Sequence, residues 1–132
     1  MQSTDSGVLP ASIQVGTSIN QAITLQNLPG EGLTSAEFNC GYDANLVEIT
    51  GLANADIFGA DALAAINGPA DGKFIFAIAS VSQKASAGGK VFKFDIKATS
   101  PGTLTLSCLV KASSGGPLFD IVFQPATVTI TP

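Results

Sequence analysis

The chain has 132 residues, 45% of them hydrophobic and only 12% charged, with ten carboxylates, six lysines, and no Arg, His or Trp. At this length roughly two thirds of the unfolded surface can be buried, so one core forms without a metal or a disulfide. A net charge of −4 with no basic cluster excludes nucleic acid and anionic membrane surfaces as partners, and no apolar run approaches the ~20 residues of a membrane span.

The missing charge is replaced by Ser, Thr, Gly, Asn and Gln, which suits a chain outside the cytoplasm, secreted or attached to a cell surface. Residues 1–6 read as a polar N-terminal stub without the basic start and apolar stretch of a signal peptide. Met1 is read as an initiator on an excised or mature domain, and residues 7–132 as that single domain.

Strict alternation then marks half-buried strands in chain order. Ile19, Ile23 and Leu25 share a parity between Ser18 and Leu28. Ala36, Phe38, Cys40 and Tyr42 share another, with Ser35, Glu37 and Asn39 on the opposite side. Val47 and Ile49 form a short strand, and Ala60–Ala65 is the one helical candidate, too short to stand alone. Phe74, Phe76 and Ile78 alternate with Ile75, Ala77 and Ala79. Phe92, Phe94, Ile96 and Ala98 alternate with Lys93, Asp95 and Lys97. Leu104, Leu106, Cys108 and Val110 alternate with Thr103, Thr105, Ser107 and Leu109, and Ala126, Val128 and Ile130 close the chain.

Pro29-Gly30, Pro69-Ala70-Asp71-Gly72, Gly88-Gly89, Pro101-Gly102 and Gly115-Gly116-Pro117 punctuate these runs. Many short strands between such turns predict an all-β sandwich or jelly roll.

Catalysis has few options. Without His, a Ser or Cys nucleophile needs a Lys or carboxylate base, and no local motif supplies one. Ser86-Ala87-Gly88-Gly89-Lys90 lacks the spacing of a phosphate loop and reads as a flexible hairpin turn. No calcium loop of the D-x-[DN]-x-[DN]-G type occurs, and Asp71-Gly72 reads as a hairpin turn. No cofactor or metal is expected. Cys40 and Cys108 both fall on core-facing positions and leave two readings open, buried thiols or a disulfide tying their strands.

The run Ala36-Glu37-Phe38-Asn39-Cys40-Gly41-Tyr42-Asp43-Ala44-Asn45-Leu46-Val47-Glu48-Ile49 carries a more specific signal. A strand ending in Tyr-Asp, a short turn, and then an aliphatic-Glu-aliphatic step resembles the cohesin domain of bacterial scaffold proteins. Ala44 stands where Pro is usual and Val47 where Leu is common. Gly16-Thr17-Ser18-Ile19 is similar to the start of the family's second strand, and Gly51 to Phe58 to its loop after the Tyr-Asp strand pair. Gly89 to Ala98, Gly102 to Leu106 and Val128 to Ile130 resemble later strands.

The resemblance implies a nine-stranded antiparallel β-sandwich with jelly-roll topology. Its flat face, made by strands 8, 3, 6 and 5, would bind a dockerin module that carries its own calcium. On that alignment Ser35 and Glu37 occupy the polar strand-3 positions that touch the partner. Strand 5 is sought among Ala65, Ile66 and Asn67, with Asn67 chosen as its site residue.

Parity points independently to the same face: Ser35, Glu37 and Asn39, then Ile75, Ala77 and Ala79, then Thr103, Thr105 and Ser107. Ile75, Ala77 and Ala79 make an apolar stripe where a solvated strand should be polar, as partner surfaces do. A covering loop is the competing explanation. The same stripe could support a weak homodimer.

The competing function is a carbohydrate-binding module of an extracellular polysaccharide-active protein, and a structural spacer comes third. Sugar binding wants exposed Trp or Tyr, yet Trp is absent and the single Tyr, Tyr42, sits on the inward parity. Phe58, Phe119 and Phe123 are also assigned to the core.

Overall fold

The alternating runs fold as strands that put one parity into a common core. The computed structural model describes residues 3–5, 12–26, 28, 30–55, 57–59, 61–82 and 84–132. Met1, Gln2 and Ser6 of the expected stub, Pro29 of the first turn and Ala60 at the head of the expected helix lie outside the described residues, as does the side chain of Phe123.

Eleven strands are present: β1 (Ser3–Asp5), β2 (Ser12–Gln14), β3 (Ser18–Gln26), β4 (Ser35–Gly41), β5 (Val47–Asn54), β6 (Leu63–Ala70), β7 (Lys73–Ala79), β8 (Gly89–Ala98), β9 (Gly102–Ser113), β10 (Phe119–Gln124) and β11 (Ala126–Thr131). One layer runs β5-β8-β3-β1 and the other β10-β9-β4-β7-β6, with β11 also on β9 and β2 on β11. The result is an all-β sandwich with jelly-roll topology.

The count exceeds the expected nine because the first and last strands each come in two pieces. β10 and β11 both run antiparallel along β9, but Ile121 faces Val110 whereas Ala126 faces Leu106, a register slip of one residue. Pro125 stands between the two pieces and has no N–H to continue the ladder. β1 and β2 follow them, pairing parallel with β10 and β11 respectively, so the sandwich is not purely antiparallel.

Inward parity delivers a core of phenylalanines. Phe38, Phe74, Phe76, Phe92 and Phe94 are all buried, and Phe92 lies at the centre of them. Its ring stacks on Phe76 at 4.3 Å between centroids and meets Phe38 edge-on at 5.1 Å. Phe58 is fully buried and Phe119 packs against the core half-buried, as expected of both.

Three local expectations change. Leu63, Ala64 and Ala65, placed in a short helix by their composition, belong to β6, where pairing with β7 overrides the helical preference of alanine. Gly51 to Asn54, expected as loop, continues β5. The Ser86–Lys90 stretch is no hairpin turn, because β7 and β8 lie in different layers and the segment carries the chain across. A bridge between Leu33 and Ala85 ties that crossover down.

The hairpin expected at Asp71-Gly72 is present. Asp71 has φ 54° and Gly72 φ 78°, the two left-handed positions of a type I′ turn. A Cβ on Gly72 would come within 2.5 Å of the Tyr42 carbonyl oxygen, so the turn also needs glycine for space. This hairpin fixes the register of β6 on β7 and thereby the layout of the outer face.

A candidate docking face

The outer face of the β9-β4-β7-β6 layer is a grid of cross-strand neighbours. Side chains directly opposite on antiparallel strands point the same way, so the ladder registers define its rows. One row runs Ala65, Ala77, Glu37, Lys111, Asp120 across β6, β7, β4, β9 and β10. The row toward the β6–β7 turn runs Asn67, Ile75, Asn39, Leu109. The row on the other side runs Leu63, Ala79, Ser35, Ser113.

The expected apolar stripe is real. Phe74, Phe76 and Ile78 are buried, while Ile75, Ala77 and Ala79 point outward and are half-buried among their neighbours. Ser35, Glu37, Asn39 and Asn67 share that face, with Glu37, Asn39 and Asn67 exposed. Of the two strand-5 alternatives, Ala65 joins the face, and Ile66 turns to the other side of β6 opposite Phe76.

Strand β9 is where the sequence reading places its residues too far along. Ser107 faces Gly41, the last residue of β4, so it stands at the corner of the grid. Thr103 and Thr105 lie beyond β4 and pair with Thr129 and Thr127 of β11. They are exposed on the same side but outside the grid. Leu109, 75% exposed, and Lys111 take the central β9 positions instead. Leu109 was visible as the next outward residue after Ser107; nothing in parity told which part of β9 meets β4.

Two further apolar groups join the face from its margins. Leu63 on β6 and Leu118, just ahead of β10, are 69% and 59% exposed. Between them Ser35, Glu37, Ala65, Ala77 and Ala79 line a shallow depression of about 440 Å³. Small alanine side chains make its floor. The segment leading to Leu118 is held by Ser113, whose buried hydroxyl donates to the Gly116 carbonyl at 2.8 Å and accepts from the Gly115 N–H at 3.0 Å.

Beneath the face, Cys40 and Cys108 are opposite one another on β4 and β9, with Cα atoms 4.0 Å apart, and are joined by a disulfide. The disulfide reading therefore holds over that of free thiols. Tyr42, just past β4, packs partly buried against Phe74, and burial holds its phenol above the usual range. Among the described residues no cluster of His, Cys, Asp or Glu could hold a metal ion, and no helix is long and apolar enough to cross a membrane.

Comparison with known proteins agrees with this architecture. A family profile described as Cohesin domain matches residues 9–128. No curated protein matches the sequence. Among solved structures, the seventh type I cohesin of ScaB from Pseudobacteroides cellulosolvens superposes with a TM-score of 0.77 at 20% identity, over 98% of this chain and 91% of that one. The cohesin module of a family 33 glycoside hydrolase from Clostridium perfringens gives 0.81 at 18% identity, over 98% and 96%. A chain of a type I cohesin–dockerin complex from Clostridium thermocellum gives 0.81 at 12% identity, over 99% and 94%. At such identities these likenesses establish the fold.

Proposed function

Because the chain belongs to the cohesin domain family, we propose that its flat face docks the dockerin module of another protein, without catalysis of its own. The calcium would be carried by the dockerin. The similar chain from Clostridium thermocellum comes from a cohesin–dockerin complex, which supports the choice of partner. Such docking would assemble a secreted or cell-surface multi-protein complex, the setting to which the low share of charged residues also points.

One observation carries the reading: Ile75, Ala77, Ala79 and Leu109 face outward on a central part of a sheet whose inner side is already packed with phenylalanine. A sheet that needed only water on this side would show polar side chains there. Glu37, Asn39 and Asn67 stand among them to fix orientation through hydrogen bonds. Stable recognition requires on the order of 800 Å² buried per partner, which a partner lying across several strands of this grid would supply.

The carbohydrate-binding alternative finds no platform. Among the described side chains no aromatic ring is exposed; Tyr42 and Phe119 are the least buried, and both pack against the core. Calorimetry against a panel of calcium-loaded dockerins tests the proposal. Binding that disappears when the dockerin is stripped of calcium is expected. Heat from soluble polysaccharide, with none from any dockerin, would overturn it.

A further inference from the structure

The two outer edges of the sandwich are built differently. β5 ends one layer and β6 the other. β5 is defended: exposed Glu48 stands on it, and its pairing with β8 is irregular between Thr50 and Ala53. Charge and irregularity of this kind keep sheet edges from joining other chains. β6 has neither device over its first five residues. Leu63, Ala64, Ala65, Ile66 and Asn67 are uncharged, exposed on both sides of the strand, and in unbroken register with β7.

In an antiparallel ladder, alternate residues turn their N–H and C=O groups away from the paired strand. Residues 63–67 therefore present a short open row of donors and acceptors along the edge. The row has defined ends. At its start the Asn54 side chain donates to the Ala62 carbonyl at 3.1 Å. At its finish the register breaks between Asn67 and Ala70, where Pro69 has no N–H to offer.

We propose that Leu63–Asn67 is a pairing edge for a second copy of this chain, related by a twofold axis through Ala65 and normal to the sheet. The pairing uses the backbone edge of β6, whereas docking uses outward side chains, although Leu63, Ala65 and Asn67 of this edge also border the docking face. The inference does not depend on the identity of the docked partner. Self-pairing about Ala65 sets Leu63 of one copy against Asn67 of the other and Ala64 against Ile66. A larger side chain meets a smaller one on the Ile66 side, and no charge meets another. That is the self-complementarity a twofold contact requires. Asp61 and Asp71, the nearest charges in sequence, fall beyond the paired segment. Five residues from each copy bury far less than the roughly 1,600 Å² of a standard interface, so the dimer is weak and depends on concentration. Pairing extends the sheet sideways and leaves Glu37 and Leu109 of both copies open on the same side, a bivalent docking surface.

Sedimentation equilibrium of the intact chain over a wide concentration range, with Ile66→Lys alongside, tests this. Ile66 is 45% exposed and lies on the side of β6 away from the docking face. A monomer–dimer equilibrium is expected, weakened about tenfold or more by the lysine. Hydrogen exchange of the unmodified chain supplies a readout that needs no variant: amides within residues 63–67 should slow as concentration rises. A chain that stays monomeric throughout, with exchange independent of concentration, overturns the proposal. So does a dimer that survives Ile66→Lys and is dissolved by Ala77→Lys on the flat face.

Discussion

Glu37 of β4 and Lys111 of β9 stand directly opposite one another on the proposed docking face, and Asp120 of β10 follows on the far side of Lys111. No ion pair joins any two of them among the described residues. An exposed pair of this kind contributes at most about 1 kcal/mol even when it closes, so all three charges stay available to a partner. Glu37→Lys sets two ammonium groups opposite each other, which costs the fold less than about 1 kcal/mol. The circular dichroism spectrum should be unchanged. Dockerin affinity should fall about tenfold or more, since a charge that complemented the partner becomes repulsive. Unaltered affinity in calorimetry would reject this face.

Leu109 tests the part of the face that parity alone misplaced. With 75% of its surface exposed it contributes little to the core, so Leu109→Asp should change stability by no more than about 0.5 kcal/mol. Docking should nevertheless weaken strongly, because a carboxylate would be desolvated within the proposed contact. Thr105→Ala is the matched control. It lies past the end of β4, beside β11, and its affinity should equal that of the unmodified chain.

The contrast between Leu109 and Thr105 shows where sequence reading stops. Period-two alternation tells which side of a strand a residue faces, and Phe74, Phe76 and Ile78 are buried with Ile75, Ala77 and Ala79 outward, as read. Register between strands distant in sequence is not written in that alternation. It depends on how β9 slides along β4, and the same uncertainty left the state of Cys40 and Cys108 open. β6 was hidden for another reason. Leu63-Ala64-Ala65-Ile66 has alanine's helical preference and no alternation, because an edge strand exposed on both sides need not distinguish them. The Asp71-Gly72 turn pointed to a strand on either side of it, and the family resemblance sought one among Ala65, Ile66 and Asn67, all three of which lie in β6.

Phe92 bears on the fold and not on the face. Its ring contacts Phe38, Phe74, Phe76 and Phe94 from the opposite layer and its own. Truncation leaves a cavity that four surrounding rings cannot close without leaving their rotamers. Phe92→Ala should cost about 3–5 kcal/mol in urea unfolding, with the docking affinity of the remaining folded fraction unchanged. A loss under about 1 kcal/mol would mean that the core repacks.

Tyr42 gives the fold a dependence on alkaline pH. Burial raises the pKa of its phenol above the unfolded value of 10.0. The folded chain thus holds this proton more tightly than the unfolded chain does. The associated stability is fully present below pH 10 and is lost as pH rises through the folded-state pKa. Tyr42→Phe should remove that pH dependence, so above about pH 10 the urea midpoint of the unmodified chain should fall relative to that of the variant. Parallel curves across the whole range would show that the phenol ionises alike in both states.

The disulfide between Cys40 and Cys108 closes a loop with a sequence separation of 68 residues. Chain-entropy arguments assign a loop of this size about 4 kcal/mol, through restriction of the unfolded chain. The two cysteines are only 1% and 6% exposed, so reductant should leave the native protein untouched and act only once denaturant opens the sandwich. The reduced chain should then gain two hydrogens in mass and unfold at lower urea than the oxidised one. Because the bond lies beneath Asn39 and Leu109, between the strands that carry them, its loss lowers stability first. Docking should persist wherever the reduced chain is still folded. If mass is unchanged by reduction in denaturant, β4 and β9 are held by hydrogen bonds and packing alone.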